Sequence, residues 1–211
     1  MKAISIRKSF LCTAIFFVLI VSLFALNESE EVVGYGHIPT ENLDTASSRK
    51  AFKTMMDVLT HERCINCHPN DNIPKQGEDS HAHRFGITGG DNNHGYQATK
   101  CSTCHQSENN EYSGVPGAPH WGLAPASMGW QGLSRKEIAE NMLNPELNGG
   151  KNHDELVKHM TEDELVLWAW APGVDADGKP REAPPVSESD FKAAVKEWFA
   201  EGAVIPETQS E

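Results

Sequence analysis

Two short stretches of the chain repeat one pattern of residues that can bind metals or react as nucleophiles. They read ERCINCHPND (62–71) and TKCSTCHQSE (99–108), and each contains Cys-x-x-Cys followed directly by His. The six residues are Cys64, Cys67, His68, Cys101, Cys104 and His105. Three chemistries use paired cysteines at this spacing: zinc binding, thiol–disulfide exchange and the covalent attachment of haem.

Haem attachment is the chemistry that uses all three residues of each motif. The two thiols form thioethers with the vinyl groups of one porphyrin, and the adjacent His becomes the proximal ligand of the iron. Zinc needs no His after both pairs, and the 33 residues between Cys67 and Cys101 exceed the common separation of about 15–20. A redox dithiol usually occurs once, in a βαβ context. The motifs therefore predict two haem c groups, with His68 and His105 as proximal iron ligands.

The N-terminal residues predict export. Residues 1–26 open with the cations Lys2, Arg7 and Lys8, and an uncharged, mostly apolar run follows over residues 9–27. Its apolar part is slightly short for a membrane span of about 17–25 residues, so it is typical either of a cleaved signal peptide or of a retained anchor. We therefore expect a periplasmic or exported protein, free or held at the membrane.

The number of cysteines supports the interpretation of the motifs. Exported chains often carry disulfides, yet of the five cysteines only Cys12 lies outside the two motifs, within the signal region. The charge balance adds a further constraint, because residues 1–26 hold three of the 18 basic residues and none of the 30 acidic ones. Such an acidic chain is not expected to bind nucleic acid, and its charge serves either solubility alone or the steering of a partner with a basic face.

The remaining sequence predicts one mostly α domain with extensive irregular loops, spanning residues 48–205 behind an acidic tether at residues 27–47. The pattern from Ser48 predicts a helix that leads into the first motif. The Gly- and Asn-rich stretch between the motifs predicts a long ordered loop. Four later helix starts are predicted from capping residues. These residues are Ser134, Asn152, Thr161 and Ser187.

Each predicted iron needs a sixth ligand or is left open. A His or Met there makes an electron-transfer site, and Met raises the reduction potential. The candidate distal ligands are His81, His83, His120, His159 and Met128. The alternatives are a solvated or propionate-bonded His at 81 and 83, a helix cap at His159, and packing filler at Met128, since Met often fills gaps. His61 is interpreted as a hydrogen-bond partner.

Several stretches resemble a group of small exported dihaem cytochromes, some of which are labelled isoquinoline oxidoreductase subunit-like. These stretches are THERCINCHP, SHAHRF, KCSTCHQ, PGAPHWGLAP, HMTEDELVLWAWAPG and EWFAEGA, and the resemblance covers roughly residues 50–204. That label implies electrons arriving from a molybdenum hydroxylase. The first half is also similar to the small dihaem subunit of periplasmic nitrate reductases, whose haems both have two His ligands. This implies His81 or His83 as a distal ligand.

Electron transfer is the leading functional hypothesis. The protein would take single electrons from a donor dehydrogenase or quinol-linked complex and pass them to an acceptor reductase or oxidase, while the haem supplies the redox chemistry. The alternative is a dihaem peroxidase-like enzyme or haem-based sensor with one open iron. That alternative needs an acid–base constellation beside the iron, and the sequence shows no signature of one.

Overall fold

The computed structural model describes residues 44–207, and this part of the chain is mostly helical, as predicted. In chain order the α-helices are α1 (Ala46–Leu59), α2 (Glu62–Ile65), α3 (Arg135–Leu143), α4 (His153–Glu162), α5 (Glu164–Leu167) and α6 (Glu188–Ala200). The predicted signal or anchor and most of the tether lie outside the described residues. Within residues 44–207, no helix is both long enough and apolar enough to cross a membrane.

Within residues 44–207, the paired strands form one short ladder, and two isolated antiparallel bridges join Asn110 to Val115 and Val174 to Pro180. Strands β1 (Lys75–Gln76) and β2 (His81–Ala82) pair antiparallel, with Gln76 opposite His81. Four short 3-10 turns complete the regular structure, at Arg84–Gly86, Cys101–Thr103, Ala126–Met128 and Trp168–Trp170. The long connection between the two motifs is therefore mostly irregular, as its glycines and asparagines predicted.

The core forms where α1, α3, α4 and α6 bring their apolar faces together. Helix α1 packs against α6, with the Phe52 and Trp198 ring centres 5.8 Å apart. Trp198 is fully buried, and its indole N–H donates to the Val204 carbonyl oxygen at 2.8 Å. Burial of such large side chains stabilises the domain, since apolar area removed from water contributes about 25 cal/mol per Å².

Local capping chemistry sets most of the helix ends. Ser134 and Asn152 each form a capping box with the Glu three residues later, and Ser187 caps α6. The start predicted at Thr161 is wrong, because Thr161 is buried inside α4 and donates its hydroxyl to the Val157 carbonyl oxygen. Asp163 caps the next helix instead.

Helix α1 also begins earlier than predicted. Thr45 is its N-cap and accepts a hydrogen bond from the Ser48 backbone N–H, so the helix takes in two residues assigned to the tether. The far end of α1 leads through Thr60 and His61 directly into α2. This connection places the first Cys-x-x-Cys-His motif against the helical core.

Candidate functional site

Both Cys-x-x-Cys-His motifs fold as a single helical turn. In the first, the N–H groups of Cys67 and His68 donate to the carbonyl oxygens of Cys64 and Ile65, at 3.1 and 3.0 Å. In the second, the N–H groups of Cys104 and His105 both donate to the Cys101 carbonyl oxygen, at 3.2 and 2.9 Å. Residues three and four apart lie on the same face of such a turn, so each motif presents two thiols and one imidazole together.

The His68 imidazole is fixed by a hydrogen bond and an aromatic contact. Its Nδ1–H donates to the Met128 carbonyl oxygen at 2.8 Å, and its ring stacks on Trp130, with centres 3.6 Å apart and planes 12° from parallel. Burial lowers the pKa of His68 to about 4, against the opposing effect of the Met128 hydrogen bond. His68 is therefore neutral at pH 7, with its free lone pair on Nε2.

His105 repeats this arrangement in the second motif. Its Nδ1–H donates to the Pro116 carbonyl oxygen at 2.7 Å, and its ring stacks on Trp121, with centres 4.6 Å apart and planes 7° from parallel. Burial lowers the pKa of His105 as well, and the neighbouring His83 lowers it further. The free lone pair again lies on Nε2.

Histidines that bind metals almost always donate their other ring N–H to a carboxylate, a carbonyl or water, which fixes the tautomer and the ring orientation. His68 and His105 both meet this condition through backbone carbonyl groups. A carbonyl oxygen can only accept, so in each ring the proton must be on Nδ1. Both histidines are thus prepared to serve as axial ligands through Nε2.

The four motif thiols form no disulfide with one another. Cys64, Cys67 and Cys101 are half-buried and Cys104 is exposed, and all four are free. Burial raises the pKa of Cys64 to about 12 and that of Cys67 to about 11, so both stay protonated at neutral pH. Within residues 44–207, no three His, Cys, Asp or Glu side chains are grouped so that they could hold a metal ion together.

One loop, which follows the second motif in the chain, contacts both motifs. It runs from Trp121, which stacks on His105, to Trp130, which stacks on His68. Between them, the Ala124 N–H donates to the Cys67 carbonyl oxygen at 3.0 Å. The three residue steps from Trp121 to Ala124 span at most about 11 Å, so His105 and the first motif are close neighbours.

Gly129 lets this loop approach the first motif closely. A Cβ atom at this position would lie 2.9 Å from the carbonyl oxygen of Pro69, the residue that follows His68. Because Gly129 has no side chain, its two neighbours in the chain, Met128 and Trp130, can both contact His68.

His83 is the candidate distal ligand that lies beside His105. Their ring centres are 6.1 Å apart and their planes are 69° apart. This separation is comparable to that of two imidazoles on opposite sides of one metal ion, with each nitrogen about 2 Å from the metal. The His83 Nδ1–H donates to the Arg84 carbonyl oxygen at 2.8 Å, which leaves Nε2 free.

His159 is the candidate distal ligand near His68. After burial, electrostatic repulsion from His159 also contributes to the lowered pKa of His68. Its Nδ1 is 3.0 Å from an Asp163 carboxylate oxygen, so Asp163 orients the ring. The predicted capping of helix carbonyls by His159 is replaced by this carboxylate contact.

His81 has a different and more isolated environment. Its Nδ1 is 2.6 Å from an Asp79 carboxylate oxygen, while its Nε2 is buried and has no partner within residues 44–207. A buried nitrogen without a partner is costly, and this nitrogen could serve as a ligand.

The two remaining candidates are placed differently. His120 is exposed, on backbone with a positive φ of 59°. The Met128 side chain is buried in the apolar core, and its carbonyl group supports His68. His61 accepts the Arg63 backbone N–H at 3.2 Å and is the N-cap of α2.

Sequence reasoning did not identify the groups that support His68 and His105. Trp121 and Trp130 stack on these two imidazoles. The carbonyl groups of Pro116 and Met128 carry no sequence signal, because every residue has one. The paired tryptophans in the Pro- and Gly-rich loop were the only available indication.

Comparison with protein-family models, with curated proteins and with solved structures found no match to this chain.

Proposed function

We propose that this protein is a dihaem c-type cytochrome that carries single electrons between exported or membrane-bound redox partners. The observation that supports the proposal best is the duplicated arrangement of His68 and His105. Each histidine follows two thiols on one helical turn, donates Nδ1–H to a backbone carbonyl group and stacks on a tryptophan. Haem, when bound, supplies an iron that changes its charge by one electron.

In this proposal the chain anchors and orients the two groups. Cys64 and Cys67 hold one haem c through thioethers, and Cys101 and Cys104 hold the other. His68 and His105 would each offer Nε2 to the iron, while their carbonyl partners keep the rings from rotating. Hydrogen bonds of this kind also make the ligand nitrogen more basic.

Two of the candidate distal ligands favour closed iron sites. His83 is paired with His105 by the distance between their rings, and His159 is associated with His68 by its effect on the pKa of His68. Iron with two His ligands suits electron transfer, since no position is left for a substrate. His81, with its buried Nε2, is the alternative to His83.

The shared loop supports exchange of electrons between the two sites. Trp121 and Ala124 contact His105 and Cys67 respectively, so the two haems would be held near one another by the same short segment. The formal net charge of −12 would orient the protein on a donor or acceptor with a basic face. The resemblance to small exported dihaem cytochromes is consistent with such carriers.

The test is a count of covalently bound haem in the full chain, exported from a host that attaches haem c. We expect two haems in the wild type and one in each double variant, C64S/C67S and C101S/C104S. Cys12→Ser is the matched control and keeps both. A wild-type chain that carries zinc and no covalent haem would overturn the proposal.

A further inference from the structure

The buried side chain of Arg63 takes no part in the proposed attachment of haem. Arg63 directly precedes Cys64, and its side chain is 4% exposed. Its Nε–H donates to the Glu182 carbonyl oxygen at 2.8 Å, and its Nη2 group forms an ion pair with the Glu78 carboxylate. A buried cation is costly unless it is paired and hydrogen-bonded, so these two contacts are needed to keep the guanidinium inside the domain.

The contacts of Glu78 close a ring of three residues. Its Oε2 meets Arg63, and its Oε1 accepts the backbone N–H of Glu182 at 3.1 Å. The Glu182 carbonyl oxygen in turn accepts from Arg63, so each of the three residues contacts the other two. Because Glu78 lies in the turn at residues 77–80 between β1 and β2, the ring attaches the tip of this hairpin to the first motif.

Asn66 attaches the same hairpin at a second point. It lies between Cys64 and Cys67 and is 7% exposed. Its Nδ2–H donates to the Gly77 carbonyl oxygen at 3.0 Å, and its own carbonyl oxygen accepts the Lys75 N–H at 3.1 Å. Strand β1 and the turn are thus both fixed on the first motif.

The end of the hairpin carries His83 to the second motif. The His83 N–H donates to the Pro74 carbonyl oxygen at 2.8 Å, which extends the ladder of β1 and β2. The ring centre of His83 lies 6.1 Å from that of His105. The hairpin therefore bridges the two motifs, and the place of His83 depends on residues beside the first motif.

We infer that the ion pair of Arg63 and Glu78 is a clamp that positions His83 beside His105. Its consequence for the iron rests on the proposed function: in a dihaem cytochrome, the clamp would keep the second iron closed by holding its distal ligand in place. Arg63 and Glu78 are positioning residues, since they act through the hairpin that carries His83. Loss of the pair would therefore open the iron of the second motif, although Arg63 precedes the first.

The first experiment measures hydrogen–deuterium exchange of backbone amides in the exported full-length protein. We expect the amides of residues 75–83 to exchange about tenfold faster in Glu78→Ala than in the wild type, because an unpaired buried cation makes this hairpin easier to open. The amides of α1 and α6 should exchange as in the wild type, whereas a general loss of stability would accelerate them as well.

Asp71→Ala is the matched control for this exchange measurement. It removes a carboxylate of similar exposure, 43% against 41% for Glu78, which pairs with Lys75 of the same hairpin and not with Arg63. Exposed ion pairs between residues this close in the chain contribute little, so exchange in Asp71→Ala should stay within about threefold of the wild type.

The second experiment titrates the reduced, haem-loaded protein with carbon monoxide. We expect Glu78→Ala to bind carbon monoxide at one haem of the two, while Asp71→Ala binds none. The double variant E78A/H83A should bind the same fraction as His83→Ala, because two changes that act through one ligand do not add.

Three results would overturn the inference: unchanged exchange at residues 75–83 in Glu78→Ala, equal acceleration throughout the domain, or a second haem that stays closed in Glu78→Ala. If the wild type carried no haem, carbon monoxide would give no signal and the proposed function would fail. Exchange would still report whether the clamp holds the hairpin, so the two failures are distinguishable.

Discussion

The imidazole of His68 lies face to face with the indole of Trp130, with ring centres 3.6 Å apart and planes 12° from parallel. His105 and Trp121 repeat this relationship in the second motif. In both cases the same imidazole donates Nδ1–H to a backbone carbonyl oxygen. Two independent contacts therefore fix the orientation of each imidazole. A metal-binding site would require preorganisation of this kind.

The two tryptophans are expected to differ in their contribution to stability. Trp130 is 4% exposed, and its indole N–H donates to the Asn141 side-chain oxygen at 3.2 Å. Trp130→Phe keeps an aromatic ring on His68 but loses this bond, so we expect the free energy of unfolding to fall by about 1–2 kcal/mol. Chemical denaturation measures this change. Trp121→Phe is the matched comparison and should cost less than about 1 kcal/mol; an equal loss in both variants would contradict the assigned role of the Asn141 bond.

Removing a distal ligand should open one iron and leave the other closed. We expect His83→Ala to let carbon monoxide bind the haem held by His105, and His159→Ala to do the same at the haem held by His68. Optical titration of each reduced variant measures the fraction of haem that binds. His153→Ala, at the start of α4, is the control and should leave both closed. If His81→Ala opened the second site and His83→Ala did not, the pairing of His83 with His105 would be wrong.

The stability of the haem-free chain should depend on pH through His68. The pKa of His68 is about 4 in the folded chain, below its ordinary value of 6.5. The unfolded chain therefore takes up this proton first as the pH falls, and stability is lost between pH 6.5 and 4, by at most about 3 kcal/mol. Urea denaturation at several pH values measures the loss in a chain whose four motif cysteines are all replaced by serine, so that neither haem is attached. His68→Gln should remove most of this dependence, and an unchanged slope would show that other groups cause it.

Phe85 is expected to reduce the stability of the chain. It is 91% exposed and holds a positive φ of 68°, two residues after His83. Left-handed backbone costs a non-glycine residue roughly 1–2 kcal/mol, so Phe85→Gly should raise the free energy of unfolding of the haem-free chain by about 0.5–1 kcal/mol after the added chain entropy. The control is Tyr112→Gly, at another fully exposed aromatic without a positive φ, which should bring no gain. A loss in Phe85→Gly would contradict the strain argument.

Local chemistry made much of the fold predictable from the sequence. The capping residues Ser134, Asn152 and Ser187 act within their own turns, so their sequences determine those helix starts. Thr161 has the right chemistry for a cap, but Asp163 lies nearer the true break and its carboxylate takes that role. Helix starts with two competing caps are decided by packing, which a short window of sequence does not contain.

The candidate site was likewise predictable from the sequence only where its contacts are local. The Cys-x-x-Cys-His spacing predicted that the thiols and the adjacent histidine of each motif lie together, because they fall within one helical turn. The partners of His68 at Met128 and Trp130 are about 60 residues away in the chain, and tertiary structure alone brings such distant residues together. The choice of His83 among several histidines likewise depends on a long-range distance.

In the proposed cytochrome, protein ligands would close both irons, as electron transfer requires. The most direct test is the optical spectrum of the haem-loaded protein, oxidised and reduced, with and without carbon monoxide. We predict two low-spin haems whose reduced spectrum does not change when carbon monoxide is added. A haem that binds carbon monoxide readily in the wild type would contradict this account, and peroxide turnover or gas sensing would then become the function to test.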